Sequence, residues 1–312
     1  MFRTSQNRIP RGSVVLEILP HNDIYGGVKS VNKIVNLLNG HHREAYVCTP
    51  GGKPARWLVH PASCLSWEEA QKRVKPSDIL IFNWMPDLDH FRTPGNYIIH
   101  ARDRFQDFRS SRVTNYWAVT PSVEKYLRGL GIGGEIGICT TYVDTSVFKP
   151  REKIARSVAY MLRRGFEFIR PIVERRADIT WLWIENEPEL RVAELLGNAE
   201  LFLYPTMGTG KGTETTKSEE AFGNPGLEAM ACGAVLLSFE FESVYLTQDN
   251  HLTIVPDDIE SKLDYILSHP TLLMAMRTAG LNTAARWNEE QVWLQLRRCL
   301  NKCAKGSSPS NA

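Results

Sequence analysis

Short apolar runs alternate with segments of helical spacing along almost the whole chain. Residues 14–19 (VVLEIL) are apolar and β-branched and predict a strand. Residues 28–38 follow, with Val28, Val31, Ile34, Val35 and Leu38 on one helical face. The same alternation predicts strands at 45–48, 78–83, 97–100 and 116–119, with helices at 67–74 and 121–130. Ser66 and Glu69 form a capping-box pair, and Thr120 before Pro121 marks a helix start that Gly131 ends. After residue 150 the pattern restarts. Strands are expected at 157–162, 180–184, 201–204, 234–239 and 252–255. Helices are expected at 167–176, 190–196, 225–232, 259–267, 271–285 and 288–303, with Pro171 either kinking the first of these or marking its start.

Strand and helix alternation in both halves predicts an α/β protein with two parallel-sheet domains. The break falls near Phe148-Lys149-Pro150-Arg151, which gives domains at 1–150 and 151–287, a final helix at 288–303 and a polar tail at 304–312. With 312 residues the chain is longer than one core usually serves. The net charge is only +2, so no global field draws it to nucleic acid. Residues 1–13 are polar and basic, without the apolar stretch of a signal peptide, and no apolar run is long enough to span a bilayer. A cytoplasmic protein is expected, with its six scattered cysteines reduced and mostly buried.

The most informative stretch runs E-A-F-G-N-P-G-L-E-A-M-A-C-G from Glu220 to Gly233. Asn224 can cap a helix whose first position is Pro225, and Gly223 allows close approach of a ligand to the backbone. The helix start is a site for an anion such as a diphosphate. Glu228 is expected in the first turn, leaning back toward that site, with Glu220 on its other side. A carboxylate accepts hydroxyls in pairs and so suits ribose and hexose rings better than phosphate. The arrangement therefore suits a nucleotide sugar.

This frame resembles the E-x7-E signature of retaining GT-B glycosyltransferases of the family-4 type. Gly26-Gly27 resembles the family's N-terminal glycine turn, and Val143–Phe148 the segment leading to its interdomain linker. The resemblance implies two Rossmann-like domains with a cleft between them, and a last helix that returns to the first domain. It implies transfer of a sugar, with retained configuration, from a nucleotide donor to a glycan, lipid or small-molecule acceptor. No cofactor or metal is implied. Glu228 would hold the ribose, and Glu220 the transferred sugar. Phe222 and Gly223 would present backbone N–H groups. His100 would contact the donor sugar, a structural histidine being the other reading. Gly26 and Gly27 would face the acceptor or phosphate.

The family's Arg and Lys at the start of the second domain match Arg163 and, five residues on, Phe168; the missing Lys is assigned to the neighbouring Arg164, with Arg170 in reserve. The stretch 207–218, with Lys211 and Lys217, departs from the P-loop pattern and is expected to be a loop beside the donor. Asp87 and Asp89 have the spacing of a metal-binding pair, which the resemblance does not require. Arg102, Arg104, Arg109 and Arg112, alternating with Phe105 and Phe108, read as a solvated helix or as a contact with an acceptor or the inner face of a membrane. Two rival readings remain: a nucleotide-sugar epimerase using Asp144, Glu219 or His100 as base, and a non-catalytic nucleotide-sugar binder.

Overall fold

The structure, a computed structural model, describes residues 12–113, 115–161, 166–205, 220–241 and 243–303, with backbone only for 166–168 and 303. The chain divides into two compact units: Met1–Arg56, His60–Thr141 and Glu289–Ala312 form one, and Trp57–Val59 with Tyr142–Asn288 the other.

In the first unit, β1 (Val15–Ile18) leads into α1 (Gly26–Gly40), then β2 (Ala45–Thr49), β3 (Cys64–Ser66), α2 (Trp67–Arg73), β4 (Ile79–Phe82), β5 (Asn96–Ala101), β6 (Asn115–Ala118), α3 (Pro121–Gly129) and β7 (Ile136–Ile138). The sheet order is β3-β2-β1-β4-β5-β6-β7, all parallel. The central strands β1 and β4 are buried on both faces, as their near-continuous apolar runs require. Gly26 and Gly27 are the first two residues of α1 itself, not a turn ahead of it, since Lys29 N–H already bonds Tyr25 O at 3.1 Å. The capping box forms as its residues predict: Ser66 Oγ accepts from Glu69 N at 3.1 Å, and Glu69 accepts from Ser66 N at 2.8 Å. No helix forms over residues 102–112. Arg112 is spent on Leu88 O and Phe91 O and lies over the Tyr97 ring, Arg109 pairs with Asp107, and Phe108 is buried. The alternation therefore does not build a basic helical face.

In the second unit, β8 (Ser157–Met161) is followed by α4 (Phe166–Arg175), β9 (Thr180–Ile184), α5 (Glu189–Asn198), β10 (Leu201–Tyr204), α6 (Asn224–Ala231), β11 (Val235–Ser238), β12 (His251–Thr253), α7 (Ile259–Ser268) and α8 (Pro270–Arg286). Pro171 lies inside α4. This sheet is also parallel, in the order β12-β11-β10-β8-β9. Its core is packed by Val158, Leu201, Leu203, Val235 and Leu237 against Ile259, Leu263 and Met276. Helix α9 (Glu289–Cys303) belongs to the first unit, where Gln295 accepts from Thr140 N at 3.0 Å and Trp293 stacks on His41 at 3.9 Å. Among the described residues no helix is long and apolar enough to cross a membrane. Cys48, Cys64, Cys139, Cys232 and Cys299 are free thiols.

Candidate active site

In the second unit the order of strands reverses at β8, so the crevice between the carboxyl ends of β8 and β10 is where an open α/β sheet receives a ligand. The turn before α6 sits at that edge. Gly223, not Asn224, is the N-cap; it adopts φ 81° and ψ 51°, the left-handed region, and Asn224 is already helical. A Cβ on Gly223 would lie 2.7 Å from Phe241 Cε2 and 2.8 Å from Tyr245 Oη. The residue must therefore be glycine for space as well as for conformation. Tyr245 Oη donates to Gly223 O at 2.5 Å, and Ser243 Oγ to Phe222 O at 3.0 Å. Phe222, Tyr245 and Trp287 pack edge-on or tilted beneath the turn, with centroids 5.5–6.3 Å apart.

Both glutamates of the sequence frame are built into this turn. Glu220 Oε2 accepts from Tyr204 Oη at 2.9 Å and Oε1 from Gly223 N at 3.1 Å. The carboxylate is thus fixed at both oxygens. Glu228 is the fifth residue of α6, in the second turn rather than the first, and is only 2% exposed. Neither side chain is a solvated surface carboxylate. Burial, and then the negative charge of Glu220, push the Tyr245 phenol well above its usual value, so it remains a hydrogen-bond donor.

The turn corrects one expectation. The N–H of Gly223 bonds Glu220, Pro225 has none, and Gly226 N–H turns back to Gly223 O at 3.0 Å. The tip of α6 is therefore a poorer anion cradle than a bare helix start. A diphosphate there needs cationic side chains, which makes Arg163 and Arg164 more important, but both lie outside the described residues, as do Glu219 and the stretch 207–218 with Lys211 and Lys217. Arg170 is exposed and pairs with Glu174 at 2.9 Å.

In the first unit the strand order also reverses, at β1 and β4, and a polar chain crosses the carboxyl edge there. Asn83 Nδ2 donates to Glu17 Oε2 at 2.8 Å, and Arg102 Nε to Asn83 Oδ1 at 2.5 Å. Arg102 Nη2 donates to His100 Nδ1 at 3.1 Å, which leaves the proton on Nε2 to donate to Cys139 O at 2.8 Å. His100 is 0% exposed with both nitrogens engaged. Burial, reinforced by the Arg102 charge, holds its pKa well below the usual value. The structure thus contradicts a direct donor-sugar contact or a base role for His100: it is a neutral structural histidine that orients Arg102. Burial raises Glu17 to about 7, and its Oε1 is buried without a partner. Asp144 does not face a substrate as a free base either, since its Oδ1 accepts from Ser146 N at 2.9 Å and Ser146 Oγ at 2.6 Å. Asp87 is buried whereas Asp89 is exposed, and no group of three or more metal-ligating side chains occurs among the described residues.

The sequence reading missed Tyr204, Tyr245, Glu17, Asn83 and the role of Arg102. Glu17 left a trace, a single carboxylate inside the apolar run VVLEIL, and Tyr204 another, a hydroxyl closing the apolar strand LFLY. Tyr245 and Asn83 reach their partners only through the fold.

No protein-family model and no curated protein sequence matches this chain. Its likeness to known proteins is structural. An alpha-glucosyltransferase solved with UDP and DNA superposes with a TM-score of 0.66 at 11% identity, over 93% of this chain and 100% of the other. A glycosyltransferase from Rickettsia africae ESF-5 gives 0.64 at 12% identity, over 96% and 100%. TarM of S. aureus, solved with UDP and alpha-GlcNAc-glycerol, gives 0.57 at 10% identity over 75% of this chain; the match spans 58% of the TarM chain. Two parallel-sheet α/β units with these strand orders and these structural relatives give the chain the GT-B glycosyltransferase fold.

Proposed function

We propose that this protein transfers a sugar from a nucleoside-diphosphate donor to an acceptor hydroxyl, with retention at the anomeric carbon. The observation that carries this reading is the fixed Glu220 carboxylate beside the Gly223 turn, with Glu228 buried one helical turn further on. Glu228 takes the ribose hydroxyls of the donor. Glu220, whose carboxylate is suited to accept hydroxyls in pairs, takes a hydroxyl pair of the transferred sugar. Arg163 and Arg164 balance the diphosphate, whose charge grows as the bond breaks. The acceptor oxygen attacks the anomeric carbon from the face that the phosphate leaves. The C–O bond to phosphate breaks as the new C–O bond forms, and the acceptor's proton passes to the departing phosphate oxygen. No enzyme carboxylate forms a covalent intermediate in this scheme, and no metal is required. UDP is bound in several of the structural relatives, so a UDP-sugar is the first donor to try. Glycan and lipid-linked hydroxyls are the acceptor classes, and peripheral contact with a membrane would follow only from a lipid acceptor.

The test is a panel of UDP-, GDP- and ADP-sugars incubated with glycan, lipid-linked and glycerol acceptors, followed by nuclear magnetic resonance of the products. The reading expects a new glycoside whose anomeric coupling matches the donor's. An inverted product would remove the retaining mechanism. A donor isomer formed without acceptor would replace transfer by epimerisation, and nucleotide-sugar binding with no product across the panel would leave a binder in place of an enzyme.

A further inference from the structure

Two thiols of the first unit, far apart in the chain, meet beside a cavity. Cys139 N–H continues the β7 ladder, bonding Ala118 O at 3.0 Å, so strand alternation puts positions 137 and 139 on one face of the sheet. Residue 137 is glycine, and a Cβ there would lie 2.7 Å from Cys299 Sγ. The missing side chain is what lets α9 lay Cys299 against this face. Cys299 Sγ donates to Ile138 O at 3.5 Å, and the Cys139 S–H donates to the Cys299 sulfur. Both residues are buried, Cys139 at 0% and Cys299 at 3% exposure, yet Cys299 is not sealed off. With Gly137 it lines a cavity of about 690 Å³ whose exposed rim includes Ser111, Gly133 and Gly134. Cys139 does not line this cavity, so a reagent entering it meets Cys299 first.

The two sulfurs are not equivalent. The hydrogen bond from Cys139, helped by the Lys302 charge, outweighs burial and holds the Cys299 thiol below its usual value. The same bond, and then burial, hold the Cys139 thiol well above its own. The other charges acting on the pair are Glu135, which is bound to Lys302, and Arg102 and Glu17 on the Cys139 side. The pair is thus built as an attacking and a resolving thiol are. We infer that Cys139 and Cys299 form a redox-active dithiol, which a peroxide admitted by the cavity converts to a disulfide. The Cys299 thiolate attacks one peroxide oxygen; an S–O bond forms, the O–O bond breaks, and the departing hydroxide takes the proton that Cys299 has shed. Cys139 sulfur then attacks Cys299 sulfur; the S–S bond forms, the S–O bond breaks, and the Cys139 proton leaves with the oxygen as water. Two electrons pass from the thiols to the peroxide, which ends as two waters. The bridge fastens α9 to the end of β7. It does not depend on the chain being a transferase.

The test uses the full chain, reduced and then treated with hydrogen peroxide, and reads its disulfides by mass spectrometry after non-reducing digestion. The peptide holding Cys139 should appear joined to the one holding Cys299, with loss of both thiols in a thiol titration and their return on reduction. Cys139→Ser should leave a sulfenic acid on Cys299 that dimedone captures, whereas Cys139 should stay reduced in Cys299→Ser. Two variants keep both thiols. Gly137→Ala wedges a methyl against Cys299 Sγ, and Ser111→Trp obstructs the cavity rim; each should slow bridging several-fold. Circular dichroism checks that every variant is folded. A folded parent chain that forms no Cys139–Cys299 link overturns the proposal. So does a bridge from Cys299 to Cys303 in its place, or bridging at the parent's rate in both Gly137→Ala and Ser111→Trp. Dimedone capture on Cys139 in Cys299→Ser overturns the order of attack. Because the readout is a bond within the first unit, failure here leaves the proposed transfer untouched.

Discussion

Replacing Gly223 by alanine isolates what the turn before α6 demands. Two costs arise together. The left-handed backbone costs a residue with a Cβ about 1–2 kcal/mol, offset by about 0.4–1 kcal/mol from the less flexible unfolded chain. The new methyl would also sit 2.7 and 2.8 Å from the Phe241 ring and 2.8 Å from Tyr245 Oη. Both neighbours are buried, at 7% and 3% exposure, and Tyr245 cannot swing away without losing its bond to Gly223 O. Overpacking of this kind costs about 1–3 kcal/mol and the lost hydrogen bond about 1 kcal/mol more. Gly233 supplies the control. Its φ is 71°, yet a Cβ there meets nothing closer than Pro150 Cγ at 3.6 Å, so Gly233→Ala carries the backbone cost alone. Urea denaturation followed by circular dichroism should find Gly223→Ala about 2–4 kcal/mol less stable than Gly233→Ala. Equal stabilities, within about 0.5 kcal/mol, would mean that Phe241 and Tyr245 do not hold the turn and that its geometry is not imposed by packing.

Other consequences are as direct. The Glu17 carboxyl is raised from 4.5 to about 7 by burial, so the fold favours its protonated form. That stabilisation is complete below the unfolded value near 4.5 and is lost as pH rises through the folded value near 7. The integrated loss is at most about 3 kcal/mol, and Glu17→Gln should flatten the stability profile between those pH values. Asp87, also raised to about 7 by burial, contributes with the same sign, so part of the slope should remain in that variant. An unchanged slope would show that Glu17 is not titrating there. Tyr204→Phe removes one of the two anchors of Glu220 and should lower turnover while costing about 0.5–1.5 kcal/mol in stability; unchanged turnover in an acceptor assay would detach Tyr204 from the chemistry. Activity should survive a chelator of divalent metals, and its loss would return the charge balance of the leaving diphosphate to a metal ion.

The architecture was legible because each element announces itself locally. Val28 to Leu38 keep helical spacing, Ser66 and Glu69 close a capping box, and runs such as ILIF and LFLY fit only buried strands. What escaped was short or tertiary. The three-residue strands β3 and β7 are too brief for a period to show, and Gly137 dilutes the apolar signal of the second. The carboxylates of the second unit were visible as a spacing, but the N-cap was misplaced by one residue. Asn224 has the better capping side chain; the observed cap is instead set by the left-handed Gly223 locked under Tyr245. His100 shows the opposite failure. A histidine at a strand end looks chemical, and only the three-dimensional arrangement reveals that Arg102 and Cys139 O consume both its nitrogens.

The account rests on a nucleotide seated at the start of α6, and calorimetric titration with UDP of the parent chain, Glu228→Ala and Glu220→Ala tests that most directly. The parent should bind saturably. Loss of the Glu228 contacts should weaken UDP about 5- to 150-fold, corresponding to about 1–3 kcal/mol, whereas loss of Glu220 should change UDP affinity by less than about threefold and mainly remove turnover. A Glu228→Ala variant that binds UDP as tightly as the parent, or a parent that binds no nucleoside diphosphate, would contradict it.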